Sequence, residues 1–298
     1  MKKIFIDTDM GLDDIIAIAM LISSGLEITG ISTVNGVSAP QVGAKNIKKI
    51  LDYLGIDIPI CVGEYQKVSE SMISFPSIDR KRAENLDFLD YLDIKINTVS
   101  DNRNIEDFIY ESLAIDTTLV CLGPLTNIAK TLVKYGSLFE KKVKRIYIMG
   151  GGIKYGNVPG KLVEYNIALD PEAAKIIFKS KIPACIVGID ATRNVPAGKD
   201  LKKMIERVKT KNKLSKIIKD VIIKNKSDFI YFYDPLLSSI VIDSSIIKKA
   251  QEYILDLILK GKERGRTRSQ KTQNGNIQAI TEVNPNSFYK LLFRIITR

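Results

Sequence analysis

Residues 3–20, KIFIDTDMGLDDIIAIAM, constrain the fold more than any other stretch of the chain. Ile4, Phe5 and Ile6 form an apolar run without alternation, the pattern of a strand buried on both faces of a parallel sheet. Asp7, Asp9, Asp13 and Asp14 fall within eight residues, with Met10, Gly11 and Leu12 turning between the two pairs. Ile15, Ile16, Ile18, Ala19 and Ile22 then continue as an apolar helix. The acids therefore lie where a strand ends and a helix begins. In an open parallel α/β sheet that edge is where ligands bind.

Four like charges this close repel one another. A helix N-terminus near Asp13 offsets part of the repulsion. A hard divalent cation offsets more, and carboxylate oxygens are its preferred ligands. An N-cap and solvated turn acids explain Asp13 and one neighbour. They explain Asp7 and Asp9 poorly, because these sit at the end of a strand that should be buried. The spacing favours a metal or catalytic site.

Beyond this stretch the pattern alternates. Strands are expected at residues 26–34, 59–62, 117–122, 143–149 and 184–189, and helices at 39–54, 105–115, 125–135 and 171–180. That order predicts an α/β fold: an open, mostly parallel, doubly wound sheet with helices on both faces and a helical C-terminal portion. Residues 252–259 and 278–283 read as an antiparallel addition. Residues 63–103 lack periodicity, as a lid or specificity loop does. With 298 residues, 45% of them hydrophobic, a single domain over 1–298 is the expectation.

The chain has no histidine. This excludes Ser-His-Asp and Cys-His catalysis, histidine-ligated zinc and a histidine general acid. Acid–base chemistry must then use carboxylates, Tyr, Lys or metal-bound water. The net charge of +11 invites a nucleic-acid reading, but residues 199–226 carry eleven Lys/Arg against three acids. Those lysines interleave with apolar residues at helical spacing, as on a solvated amphipathic face. A second basic cluster, residues 260–268, has the glycines of a hairpin. No nucleic-acid partner is expected. No membrane span or signal peptide is legible, and a cytoplasmic location is expected. Cys61, Cys121 and Cys185 sit in or beside apolar runs and read as reduced core residues.

Three further places carry polar groups at strand or helix ends. In Gly123-Pro124-Leu125-Thr126-Asn127, Thr126 could cap a helix. In residues 150–170, GGGIKYGNVPGKLVEYNIALD, the glycines allow close backbone approach to a ligand. Asn157, Glu164 and Asn166 there suit hydroxyl binding, although a plain polar loop has the same composition. In Tyr231-Phe232-Tyr233-Asp234-Pro235-Leu236, an acid among aromatic and apolar residues needs a partner or a metal, or opens a helix before Pro.

Taken together, these four places resemble the inosine–uridine-preferring nucleoside hydrolase family, in order and over most of the chain. The family's D-x-D-P-G-x-D-D appears as Asp7 to Asp14, with Met10 in place of Pro. Its G-P-L-T-N-[IL]-A matches Gly123 to Ala129, its M-G-G…G-N…E-[FY]-N…D-P-E-A-A matches Met149 to Ala174, and its late Asp-Pro matches Asp234-Pro235. The resemblance implies a Ca²⁺-dependent hydrolase of ribonucleosides that forms homodimers or homotetramers. It implies Asp9, Asp14, the Thr126 carbonyl and Asp234 as Ca²⁺ ligands, with Asp9 as general base on a metal-bound water. It implies Asp13, Asn157, Glu164, Asn166 and Asp234 as ribose-binding groups, and Asp7 as an ordering group just outside the metal shell.

The departures fall on the base-facing side. Tyr233 stands where many members have His, and Val37 where Asn is common, with Asn35 two residues earlier. The Asn157-to-Glu164 spacing is one residue longer, and the family's Gly-rich loop is not recognisable in residues 63–92. An altered base preference is expected, with Tyr233, or Tyr231 as second choice, donating a proton or stacking on the base. Two other readings compete. One is a haloacid-dehalogenase-type Mg²⁺ phosphatase, which the Asp13-Asp14 pair does not fit. The other is a catalytically inactive nucleoside-binding protein.

Overall fold

The computed structural model describes residues 2–69, 73–92, 103–224, 230–273, 275 and 277–298. Nine strands form one sheet: β1 Lys3–Thr8, β2 Glu27–Thr33, β3 Ile60–Val62, β4 Thr117–Cys121, β5 Val143–Met149, β6 Ala184–Val187, β7 Ile247–Leu257, β8 Thr267–Lys271 and β9 Ile277–Val283. Their spatial order is β3-β2-β1-β4-β5-β6-β9-β7-β8. All pairings from β3 to β9 are parallel, while β7 runs antiparallel to both β9 and β8.

The apolar runs earn their place by facing two cores. In β1, Ile4 and Ile6 enter one core and Phe5 the other. The first core packs under helices Leu12–Ser23, Pro40–Leu54, Lys213–Lys224, Asp234–Ile242 and Pro285–Ile296. The second packs under Ile105–Ser112, Thr126–Tyr135 and Pro171–Phe178. The helices on both faces realise the doubly wound architecture.

Residues 278–283 are not simply an antiparallel addition. They belong to β9, which lies inside the sheet, parallel to β6 on one side and antiparallel to β7 on the other. The basic stretch 199–226 divides into helices Lys199–Glu206 and Lys213–Lys224. The basic segment near 260–268 is the β7–β8 turn, and its Arg264 forms a fork on Glu172, with both contacts at 2.6 Å. Part of residues 63–103 lies outside the described residues. The described part holds an unexpected helix, Ser77–Glu84. All three cysteines are buried and unbonded to one another. Among the described residues no helix is long and apolar enough to cross a membrane.

Strand order reverses at β1: the chain moves outward through β2 and β3, then crosses to β4 on the other side. The crevice between the carboxyl ends of β1 and β4 is the topological switch point. Asp9 follows the first of these strands and Leu122 the second.

Candidate active site

The last residues of β1 alternate like the rest of the strand, and this divides the acids' roles. Asp7 points toward the second core's side, where its Oδ1 accepts hydrogen bonds from Ser32 (2.5 Å) and Asn127 (2.8 Å). Asn127 also donates to the Thr33 carbonyl and accepts from the Glu64 amide, so it ties β1, β2 and the segment after β3 together. Thr8 points the other way and its hydroxyl donates to Asp14 Oδ1. Asp14 Oδ2 accepts from the Gly11 amide at 2.8 Å. Between them, Met10 adopts φ +53°. Proline cannot reach that region, so the residue that departs from the D-x-D-P-G signature also departs in its backbone.

Asp9 Oδ2 accepts from the Val37 amide at 2.7 Å. The chain approaches Asp9 so closely here that a Cβ on Gly36 would lie 2.0 Å from Asp9 Oδ2. Gly36→Ala is therefore expected to displace the Asp9 carboxylate. Any activity that depends on Asp9 should fall by on the order of 100-fold, as for loss of one positioned charged group. The melting temperature should change far less. Steady-state kinetics and a thermal melt of the variant check this, and unchanged kinetics would contradict it.

Asp234 opens the Asp234–Ile242 helix, as its place before Pro235 suggested. The helix sets it against the Leu12–Ser23 helix, and carboxylate oxygens of Asp13, Asp14 and Asp234 lie within 4.8 Å of one another. Asp9 is adjacent but lies outside that tightest group. Among the described residues, buried oxygens of Asp7 (Oδ2) and Asp234 (Oδ1) have no hydrogen-bond partner. Burial pushes the acids of this cluster up, and neighbouring carboxylates add to it for Asp9, Asp13 and Asp234, leaving Asp9 and Asp234 well above the ordinary range and Asp13 at about 7. Asp7 is also raised to about 7, by burial. Orphaned oxygens and mutually repelling carboxylates are the donor set a hard divalent cation requires. The residues present fit such an ion.

A pH dependence follows for the cation-free protein. In the unfolded chain Asp13 has its ordinary pKa of 3.8, but in the fold it is raised to about 7. Between those values the folded state holds a proton that the unfolded state has lost. Stability is then greatest near pH 4 and falls as pH rises toward 7, by about 4 kcal/mol for one such carboxyl. Chelator-treated protein should melt lower at pH 7.5 than at pH 5, and an added divalent cation should restore more at pH 7.5. A melting temperature that rises with pH without cation would contradict this.

The Glu164–Asn166 segment is not a plain polar loop. Glu164 is the N-cap of a short helix, Tyr165–Leu169. Its carboxylate accepts from the Asn166 amide (2.8 Å), the Gly151 amide (2.9 Å) and the Ile167 amide (3.0 Å). Gly151 has φ +75° and turns its amide into this role. Asn166 Nδ2 donates to the carbonyls of Leu122 (2.7 Å) and Met149 (3.1 Å), the C-terminal ends of β4 and β5. Asn157 accepts from the Tyr165 amide.

These groups line one cavity of about 410 Å³. Its floor holds Asp9, Asp13, Asp14, Asp234, Glu164 and Asn166, with Asn157 at the edge. Facing them are Phe75 and Pro76 from the segment after β3, with Tyr165, Ile230 and Tyr233. Phe75 stacks on Tyr165 at 4.4 Å. Tyr233 lines the cavity, and burial, helped by the Asp13 carboxylate, raises its phenol above the ordinary range. Tyr231 does not line it; its ring packs edge-on against Tyr233. Val37 lines the cavity, whereas Asn35 is held outside by Arg80 and the Tyr65 carbonyl. A wider, open groove of about 810 Å³ beside Asn46 and Asp90 shares no residue with the acids.

Thr126, whose carbonyl the resemblance implies as a cation ligand, is not among the residues lining the cavity. It is buried outside the cavity, and its hydroxyl donates to Asp170 Oδ2 at 2.7 Å, which also accepts from the Val68 amide. As the first helical residue it directs its carbonyl along the helix, toward the amide four residues on. The residue next to this motif that lines the cavity is Leu122, just before Gly123, whose carbonyl accepts from Asn166 Nδ2. A motif read by side-chain type cannot reveal which main-chain carbonyl is presented.

A doubly wound sheet with a cation-type carboxylate cluster at its switch point defines an α/β protein with a small-molecule site at the strands' carboxyl edge. The family profile described as inosine-uridine preferring nucleoside hydrolase matches residues 4–290, and the chain belongs to that family. Uridine nucleosidase 1 of Arabidopsis thaliana is 32% identical over 238 residues, covering 74% of this chain and 65% of that protein. The pyrimidine-specific ribonucleoside hydrolase RihA of Shewanella sp. (strain MR-7) is 34% identical over 194 residues, 64% of this chain and 60% of that protein. The matched chain thus spans somewhat under two thirds of these relatives' lengths. The crystal structure of the Bacillus anthracis inosine-uridine preferring nucleoside hydrolase superposes with a TM-score of 0.84 at 25% identity, over 100% of this chain and 99% of that one.

Proposed function

We propose that the chain hydrolyses the N-glycosidic bond of ribonucleosides to free base and ribose. The observation that carries this reading is one cavity with a buried carboxylate cluster on its floor, a buried Glu/Asn set beside it, and an aromatic wall opposite. Relatives named as uridine and pyrimidine ribonucleoside hydrolases support it.

Asp9, Asp14 and Asp234, with the Leu122 carbonyl in place of that of Thr126, are the groups to hold Ca²⁺. Bound there, the cation supplies positive charge that lowers the pKa of a coordinated water. Asp9 accepts the attacking water's proton, a role for which a positioned carboxylate is suited. Asp13, Asn157, Glu164, Asn166 and Asp234 bind the ribose hydroxyls. Glu164, fixed by three backbone amides, is an oriented acceptor for a hydroxyl. Hydrogen bonds of this kind strengthen as the sugar gains oxocarbenium character. Asp7 buttresses β1 through Ser32 and Asn127. The aromatic wall accepts the base, with Tyr233 against it.

Base release from a panel of ribonucleosides, with and without a Ca²⁺ chelator, tests the proposal. Chelator-sensitive release is expected. Tight ribonucleoside binding with no release, or phosphate release from a generic phosphoester, would overturn it.

A further inference from the structure

The helix Ser77–Glu84 buries only Ala83, so polar contacts decide where it sits over the cavity. Two of its side chains reach the turn after β2. Glu84 Oε1 accepts from the Ala39 amide at 2.9 Å. Arg80 Nη2 donates to the Gly36 carbonyl at 2.7 Å and to Asn35 Oδ1 at 3.0 Å. The Gly36 carbonyl and the Val37 amide belong to one peptide group. That amide donates to Asp9 Oδ2, also at 2.7 Å. A trans peptide is planar and points its C=O and its N–H in opposite directions. One rigid plane therefore stands between the guanidinium and the carboxylate.

We propose that Arg80 is a positioning residue for Asp9: by gripping the Gly36–Val37 peptide, it ties the orientation of the general base to the docking of the cavity's outer wall. This deepens the nucleosidase reading, and its kinetic part rests on that reading.

A charged donor makes a stronger hydrogen bond than a neutral one. Drawing electron density toward the Gly36 oxygen makes the Val37 N–H a better donor, because hydrogen bonds in a chain polarise one another. The turn leaves this peptide little freedom. Gly36 is buried against Asp9, and a Cβ on it would meet the carboxylate. The Ser38 amide donates to the Asp9 carbonyl at 3.2 Å and the Asn35 amide to the Glu64 carbonyl at 3.1 Å, so the plane is pinned on both sides. Arg80 approaches Glu84 only to 4.0 Å, and the turn is its closer anchor. The same helix presents Asp79, Arg82 and Ala83 to the cavity. A ligand that seats this wall thereby seats Asp9, and a helix lifted from the turn releases the peptide that orients Asp9.

The test compares the unmodified protein with Arg80→Gln, Arg80→Lys and Glu84→Ala, each alone and combined with Asp9→Asn, on the best ribonucleoside of the panel. Arg80→Gln should lower kcat by on the order of 10-fold, a partial misplacement where a full 1 Å costs about 100-fold. Arg80→Lys keeps the charge without the planar fork and should recover part of the loss. On Asp9→Asn, Arg80→Gln should cost less than about twofold, because the group it positions is gone. Glu84→Ala loosens the same helix without touching the Gly36–Val37 peptide, and should raise KM more than it lowers kcat. Amide hydrogen exchange reads the grip without turnover: the Val37 amide should exchange faster in Arg80→Gln by on the order of 10-fold. An unchanged kcat, an Arg80→Gln loss that multiplies in full on Asp9→Asn, an equal kcat loss from Glu84→Ala, or unchanged Val37 exchange would each overturn the inference. A failure of the nucleosidase reading shows separately, as no ribose from any nucleoside with the unmodified protein, and Val37 exchange then still decides whether Arg80 holds the turn.

Discussion

Asp9→Asn is expected to lower base release by on the order of 10³-fold or more, within the range seen for loss of a positioned general base combined with loss of a charged ligand. Asn keeps the shape and can still face the Val37 amide, which approaches at 2.7 Å. It has no proton-accepting carboxylate. Folding should survive, because the change removes one of several mutually repelling charges in a buried cluster. Without cation the variant should melt no lower than the unmodified protein, and this stability readout separates the loss of activity from damage to the fold. Initial rates on the best nucleoside, with a chelator-treated melt of both proteins, check the expectation. A variant retaining a tenth of the unmodified rate would show that the proton goes elsewhere.

Asp234→Asn carries the second large effect. Asp234 comes from the last third of the chain, whereas Asp9, Asp13 and Asp14 come from its first turn of structure. The cluster closes only when the Asp234–Ile242 helix packs on the Leu12–Ser23 helix. Its Oδ1 is buried without a partner among the described residues. An oxygen in that state is destabilising unless a cation or a hydroxyl of a ligand meets it. Removing the charge should weaken Ca²⁺ binding by on the order of 100-fold, since affinity at oxygen-ligand sites follows the number of charged ligands. Titration calorimetry with Ca²⁺ on chelator-treated protein reads this directly. Activity should fall more than cation affinity, because the same carboxylate is also assigned to a ribose hydroxyl. Unchanged Ca²⁺ affinity would remove Asp234 from the cation's shell.

The parallel core was legible because burial on both faces leaves no room for polar alternation. Residues 143–149, expected as a strand, are β5 in full, and 59–62 contains β3. The four acids were legible for the same reason, as charges at the end of a strand that had to be buried. What escaped has three physical causes. Helix Ser77–Glu84 buries only Ala83, so it has no apolar stripe to announce it, and it is held by its place over the site. β9 reads as a half-buried strand in either direction, and only its neighbours make it parallel to β6. Leu122 lines the cavity from just before the Gly123-to-Ala129 motif, and an apolar residue at the end of a strand carries no sign of that in its side-chain type. The cavity's outer wall, from Phe75 to Arg82, comes from a segment with no periodicity at all.

In the proposed hydrolysis, a water that has lost its proton to Asp9 displaces the base in a single step at the ribose anomeric carbon. The stereochemistry of the first-formed ribose tests this most directly, followed by proton NMR during rapid turnover of a β-ribonucleoside and before the anomers equilibrate. Water attacking opposite the departing base inverts the centre, so α-ribose should form first. β-Ribose forming first would mean that a carboxylate of the cluster acts as a covalent nucleophile, and would contradict the account.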